Sequence, residues 1–475
     1  MRIRRAWMWT VITLTGGAVS TLACGDGDAD GPEGTAEVRV VHAAAGAPAV
    51  DVYLAGDGEP VVAGLAYGEA SGFAQLPAGE LEFEIRPAGA EAASEAIYST
   101  GPLTVPAGAR IDAIAAGRLD ASGDDDAFRV LTLVEEPVSA SDAALVRIVH
   151  AGADAPAVAI DVGNDGSAEI EDLARFGDTG GQAIELPADT ELRVGILAGL
   201  PLQPVTYFTL PPLPAGHEAL IVAAGLLSAD AGAAAGFSLL AFTPTASARI
   251  AQDPLVYALH AGPDAPAVDL YTPDTQPLAL GLGFGDLSAG FRVAPRSQVI
   301  NVWPAGIEHG AAPAASATTP ALVAGQRYLV IASGFLAAGE GEQPFGLIAA
   351  AAEFDREDAA ARVRIVHASP DAPAVDVGTV HGDALGALLA TDLRYGQSTP
   401  GKGVSVTQTP VDLGVAATGS AAIAARFNGL AIEAGARLFA VAAGALAPAA
   451  GREGFRLIVV DAGAPAWTAA AVHPN

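Results

Sequence analysis

One phrase recurs four times along the chain and constrains every reading of its fold. Val38-Arg39-Val40-Val41-His42-Ala43 leads into Ala47-Pro48-Ala49-Val50-Asp51-Val52-Tyr53, and returns as Val146-Arg147-Ile148-Val149-His150-Ala151 with Asp154-Ala155-Pro156-Ala157-Val158. It comes again as Val256-Tyr257-Ala258-Leu259-His260-Ala261 with Asp264-Ala265-Pro266-Ala267-Val268-Asp269. The last copy is Val363-Arg364-Ile365-Val366-His367-Ala368 with Asp371-Ala372-Pro373-Ala374-Val375-Asp376. The histidines lie 108, 110 and 107 residues apart. Two more markers keep that register: an aromatic–glycine pair (Tyr67-Gly68, Phe176-Gly177, Phe284-Gly285, Tyr395-Gly396) and an apolar run ending at Gly117, Gly225, Gly334 and Gly444. Three markers in one order at one period mean tandem copies of one unit. Repeat 1 is placed at 37–139, repeat 2 at 140–248, repeat 3 at 249–358 and repeat 4 at 359–475, each of ordinary domain length.

Within a copy the apolar period is two. Leu81, Phe83 and Ile85 alternate with Glu82, Glu84 and Arg86, as in a strand with one face in water. Further strands are expected at 38–42, 50–55, 60–67, 72–76, 97–105, 110–118 and 128–135, each bounded by Gly, Pro or Asp. The pattern predicts an all-β chain of four tandem β-sandwiches. Residues 219–229 and the apolar stretch running on to Phe242 resemble a membrane span. The matching stretch of repeat 1 holds Asp112, Arg118, Asp120, Asp124, Asp125, Asp126 and Arg129, so both are read as a strand pair and its turn.

The chain carries 54 acidic against 24 basic residues, a net charge of −30. That excludes a phosphate-gripping nucleic-acid binder and a polybasic hold on anionic lipid. With 51% hydrophobic and 16% charged residues, it is not a disordered acidic tail. A single cysteine excludes a disulfide framework, an iron–sulfur cluster and a multi-thiolate zinc site. That cysteine, Cys24, closes an N-terminal segment of Arg2, Arg4, Arg5 and an uncharged apolar run to Ala23. The layout is that of a secretory signal over 1–23. Thr21-Leu22-Ala23-Cys24 resembles a bacterial lipobox, in which the cysteine becomes the lipid-bearing first residue; Thr21 stands where leucine is usual. An ordinary signal peptide with an incidental cysteine, or an uncleaved anchor helix, are the alternatives. Residues 24–36 are acidic and rich in Gly, which reads as a flexible tether. The chain is therefore expected in the bacterial cell envelope, lipid-anchored, at the outer membrane or cell surface.

The phrase His367-Ala368-Ser369-Pro370-Asp371-Ala372-Pro373-Ala374-Val375-Asp376-Val377, with Tyr395-Gly396 downstream, resembles the signature of DUF4397, a bacterial family of domains of unknown function. The resemblance covers all four copies. It implies exported or surface-located, immunoglobulin-like domains in tandem, and brings no established reaction or ligand. Repeat 1 departs from it with Ala44-Ala45-Gly46, and repeat 2 inserts Ala159-Ile160 before Asp161. An insertion of two keeps Asp161 on the same strand face as its counterparts.

The motif histidines His42, His150, His260 and His367 could be metal or substrate ligands. Their structural alternative is to end the first strand and hydrogen-bond the Pro-Asp-Ala-Pro turn, which the Asp of that turn caps. A metal shared between repeats is excluded by distance, because zinc ligands lie about 2.1 Å from the ion and neighbouring domain centres are roughly 25 Å apart. The motif aspartates Asp51, Asp161, Asp269 and Asp376 could each pair with the histidine as a base, but G-x-S-x-G, H-E-x-x-H and phosphate-loop motifs do not occur. The histidines and aspartates are therefore read as structural, no residue is assigned a catalytic role, and no cofactor is expected. Asp161, Asp165, Glu169 and Asp172 fall at positions 1, 5, 9 and 12 of a partial calcium loop, with Gly163 where an oxygen ligand belongs; a hairpin turn on Asn164-Asp165-Gly166 accounts for the same residues. The expected function is a non-enzymatic spacer or binding and adhesion module, whose partners are the membrane through its lipid and a cell-surface glycan or protein. The alternatives are an exported enzyme with an inter-domain site and a calcium-dependent carbohydrate-binding protein.

Overall fold

A computed structural model describes residues 34–475 apart from 92–93, 122, 139–141, 308–311, 356–357, 408, 421 and 448. The expected signal peptide, Cys24 and tether residues 24–33 lie outside the described residues.

Repeat 1 holds β1 (Thr35–His42), β2 (Val50–Leu54), β3 (Val62–Leu65), β4 (Ala74–Pro77), β5 (Gly79–Pro87), β6 (Tyr98–Val105), β7 (Arg110–Ala116) and β8 (Arg129–Val134). They form two sheets, ordered β4-β1-β7-β8 and β3-β2-β5-β6. The signature strand β1 runs parallel to β7, with Val40 opposite Ala113; the other pairs are antiparallel. Val38, Val40 and Ile111 of one sheet pack on Val50, Val52, Phe83 and Ile85 of the other, so period-two alternation delivers one face of each strand to a sandwich core. The same two-sheet plan returns in repeats 2, 3 and 4, giving eight sheets among the described residues. The all-β tandem-sandwich expectation is met.

The central strands β1 and β7 bury their second face as well. Val41, Ala43, Ile114 and Ala116 leave the repeat 1 core and meet Val149, Ala151, Leu220, Val222, Ala224, Leu240 and Phe242 of repeat 2. Repeats 3 and 4 share an equivalent core through Leu259, Ala261, Leu329 and Ile331 on one side and Val366, Ala368, Phe439, Val441, Ile458 and Val460 on the other. The chain accordingly divides into two compact units, Met1–Ala251 and Gln252–Asn475, each with two sandwich cores and one core shared between sheets. Fully burying a Val, Leu or Phe side chain contributes roughly 1.5–3 kcal/mol. Several at one seam match the ~5–15 kcal/mol by which a whole domain is usually stable. Cores closing only within each repeat are what the sequence pattern suggests; the shared cores are the structure's addition.

This double burial explains the segment that imitates a membrane span. In the strand Glu218–Ala224, Ala219, Ile221 and Ala223 enter the repeat 2 core while Leu220, Val222 and Ala224 enter the shared one. A strand buried on both faces reads as a continuous apolar run. No helix among the described residues is long and apolar enough to cross a membrane.

The ends of the repeats differ by parity. In repeats 2 and 4 the last segment adds a fifth strand to its own sheet, Ser247–Ala251 on Ser238–Phe242, which runs past the expected end of repeat 2 at residue 248, and Thr468–Val472 on Arg456–Asp461. In repeat 1 it crosses over instead: beyond β8, the Glu136 amide donates to Gly181 O at 3.0 Å in repeat 2.

Candidate functional site

The signature residues gather where the parallel strands end. Each motif histidine lies at the end of its strand, last in three repeats and next to last at His367, with the residue at most 1% exposed. Nε2 lies 3.0 Å from Pro48 O for His42, 2.9 Å from Pro156 O for His150, and 3.0 Å from Pro266 O and Pro373 O for His260 and His367. A carbonyl can only accept, so Nε2 carries the hydrogen and Nδ1 is left as an acceptor. In three repeats it accepts from the backbone N–H two residues on: Gly152 at 3.4 Å, Gly262 at 3.2 Å and Ser369 at 3.3 Å. In repeat 1, Nδ1 of His42 has no partner. Burial holds all four imidazoles below their ordinary range, so they are neutral and serve as struts across the Ala-Pro turn.

The motif aspartates hold backbone elsewhere. Asp51 accepts the N–H of Gly64 at 2.6 Å and Gly89 at 2.8 Å; Asp269 accepts those of Gly281 at 2.6 Å and Gly306 at 3.0 Å. Asp376 takes the amides of Asp392 at 2.8 Å and Gly419 at 3.2 Å, which pull its carboxyl below the usual range. The hydrogen bonds of histidine and aspartate go to different partners, and no base dyad is formed between them.

The repeat 2 insertion leaves Asp161 buried but gives it a different task. Its oxygens accept the amides of Asp165 at 3.1 Å and Gly166 at 2.9 Å, while Asp165 caps Ser167 at 2.9 Å and Glu169 caps Val162 at 2.6 Å. Asp172 is exposed. These bonds are those of the hairpin turn expected on Asn164-Asp165-Gly166 from the same residues. Among the described residues no three His, Cys, Asp or Glu side chains gather in a way that could hold a metal.

The Asp of the Pro-Asp-Ala-Pro turn acts at longer range than a turn cap. Asp154 receives the amides of Leu227 at 2.7 Å and Ser228 at 2.9 Å, Asp264 those of Leu336 at 2.8 Å and Ala337 at 3.1 Å, and Asp371 those of Leu446 at 2.8 Å and Ala447 at 3.1 Å. Each carboxylate thus clamps the loop that follows the strand-ending glycine. Those glycines, Gly117, Gly225, Gly334 and Gly444, have φ of 81°, 97°, 95° and 89°. A Cβ there would collide with the carbonyl of Ala127, Gly236, Pro344 or Gly454, so only glycine fits.

The aromatic–glycine marker faces the sister repeat. Arg129 of repeat 1 lies 4.2 Å over Phe176 of repeat 2, and Arg456 of repeat 4 lies 4.8 Å over Phe284 of repeat 3. Burial pushes the Tyr395 hydroxyl up, against its interaction with Ser333 of repeat 3. In the C-terminal unit the loops exchange contacts reciprocally. Gln343 donates to Pro370 O at 3.1 Å and Glu453 to Pro263 O at 2.7 Å, and Arg452 grips Glu342 at 2.5 and 3.0 Å. Sequence reading found these markers but not their partners. The signal was present in the apolar positions beside the histidine, where both strand neighbours are apolar.

The rims of the two shared cores differ in chemistry. In the N-terminal unit Arg39 donates to Asp112 Oδ1 at 2.7 Å, Glu135 lies 2.9 Å from Arg110 and 3.6 Å from Arg39, and Asp112 is fully buried. Asp112 Oδ2 meets no donor. Burial, and after it the Asp112 charge, push the Glu135 carboxyl up to about 7, against Arg110 and Arg147. From repeat 2, buried Arg147 donates to Glu136 O and Gly181 O at 2.6 Å each and to Glu218 at 3.1 Å. In the C-terminal unit, Tyr257 and Leu329 take the strand positions of Arg39 and Asp112. Tyr257 stacks on Trp467 at 4.4 Å, with Phe439 5.6 Å from the same indole.

Residues 36–161 and 254–378 match the family described as "Domain of unknown function (DUF4397)". Both matches begin at the first strand of an odd repeat and end within the second strand of an even one. No curated protein matches the chain. Among solved structures, "The Bacillus anthracis TIE protein" aligns at 10% identity over 90% of this chain and 65% of that one, with a TM-score of 0.14; at that score the likeness supports no conclusion about fold or function.

Proposed function

The chain belongs to the DUF4397 family, and from that premise we propose that it is an exported, lipid-anchored spacer of the bacterial cell envelope, built from stiff two-repeat blocks. The observation that carries the reading is where the signature's polar groups point. His, Asp and Gly of each copy are spent on backbone: struts across the Ala-Pro turn, clamps on the following loop, caps on bulges. A signature that fixes shape in every copy suits a chain whose task is reach and rigidity. The exposed large apolar side chains among the described residues are Leu, Val and Ile rather than aromatic, which favours a spacer over a sugar-stacking surface. The N-terminal Arg2, Arg4 and Arg5, the apolar run and Cys24 support export and lipidation.

Two experiments test this. Cys24→Ser should release the protein from membranes, and mass spectrometry finding an unmodified Cys24 thiol in the wild type would contradict the anchor. Retention of the mature chain on peptidoglycan or glycan columns would replace the spacer by a binding module.

A further inference from the structure

We propose that Asp112 and Glu135 form a carboxyl pair that shares one proton and makes the docking of repeat 1 on repeat 2 sensitive to pH. The pair sits where the chain leaves β8 and crosses to repeat 2. The Glu135 amide donates to Arg110 O at 2.8 Å, and the next residue donates its amide to Gly181 O and accepts Arg147 at its carbonyl. Asp112 is fully buried and only one of its oxygens, Oδ1, has a donor. A buried carboxylate oxygen without a donor is costly. A proton held by Glu135 supplies the missing O–H for Asp112 Oδ2. The charged groups facing the pair are Arg39 from β1, Arg110 from β7 and Arg147 from repeat 2, with Glu218 beyond Arg147.

The pair is buried, Asp112 fully and the Glu135 side chain at 8% exposure, and burial rather than a shortage of cations is what favours the proton. Loss of the proton leaves two negative charges competing for Arg39 and removes the Glu135–Asp112 bond. Because the folded state favours protonated Glu135, stability from this group is greatest below the unfolded value of 4.5 and is lost as pH rises toward about 7. The C-terminal unit is an internal control. Leu329 stands at the Asp112 position and Ala352, whose amide donates to Arg327 O as that of Glu135 donates to Arg110 O, stands at the Glu135 position.

Hydrogen exchange on the full chain, corrected for intrinsic rates, tests the proposal at about pH 5.5 and about pH 8. Protection of Arg110–Ala116 and Ala144–His150 should fall about tenfold or more relative to Arg327–Ser333 and Ala361–Ala368, since each pH unit inside the window shifts the equilibrium by up to about tenfold. The buried histidines occur in both units, so their titration cancels in the ratio. Glu135→Gln, whose amide donates to Asp112 at any pH, should keep the ratio flat. A wild-type ratio that does not change with pH, or an E135Q ratio that changes as the wild type does, overturns the proposal.

Discussion

The core shared by repeats 1 and 2 and that shared by repeats 3 and 4 are built alike and rimmed differently. Both are centred on small and β-branched residues of the parallel strand pair, with Ala43 and Ala151 in one and Ala261 and Ala368 in the other. At the rim, one unit has the carboxyl groups Asp112 and Glu135 among Arg39 and Arg147, and the other has Tyr257, Phe439 and Trp467 beside Arg327 and Arg364, whose guanidiniums donate to Pro465 O and Ala351 O. Sheet-on-sheet packing tolerates either, because its stability comes from the apolar centre. The rim decides selectivity. Buried ions gain little net stability but penalise any partner that leaves them unpaired, whereas stacked rings add area and shape.

Breaking the aromatic rim should have the largest effect. Phe439→Ala removes a fully buried ring from the shared core and should cost about 3–5 kcal/mol, lowering the melting of Gln252–Asn475 and leaving Met1–Ala251 unmoved in a calorimetric scan. Next comes Arg39→Ala, which strands the Asp112 carboxylate. It should cost about 3 kcal/mol in the N-terminal unit only. His150→Ala and His367→Ala each remove two hydrogen bonds and should cost about 1–3 kcal/mol. His42→Ala should cost less, since only its Nε2 is engaged. Urea titrations of the three variants rank them. The smallest effect is common to both units and is read as the slope of urea midpoints between about pH 7 and about pH 5. Burial lowers all four histidines, so the stability they confer is complete above the unfolded value of 6.5 and declines in both units as pH falls below it.

The sandwich was legible because β5 alternates: Leu81, Phe83 and Ile85 face inward and the glutamates face out. The pairing of repeats was harder to read. In Val146–His150 both faces are apolar apart from Arg147, and a continuous run does not say what covers its second face. The strut role of the histidine followed from its place before a proline turn. The long reach of Asp154 to a loop 73 residues away leaves no local trace in sequence. Nor do Asp112 and Glu135, which occur in one copy and break the repeat; a departure from the pattern was the only available sign of the ionic rim.

The different endings of odd and even repeats impose a rule of parity. An even repeat folds its last segment back on its own sheet as Ser247–Ala251 or Thr468–Val472, while repeat 1 sends its last segment onward into its neighbour. Removing a single copy would uncover the partner face, where Val149, Leu220 and Val222 are now buried against Val41 and Ile114. Deleting one copy strands an apolar sheet face in water and invites aggregation, whereas deleting two removes a finished block.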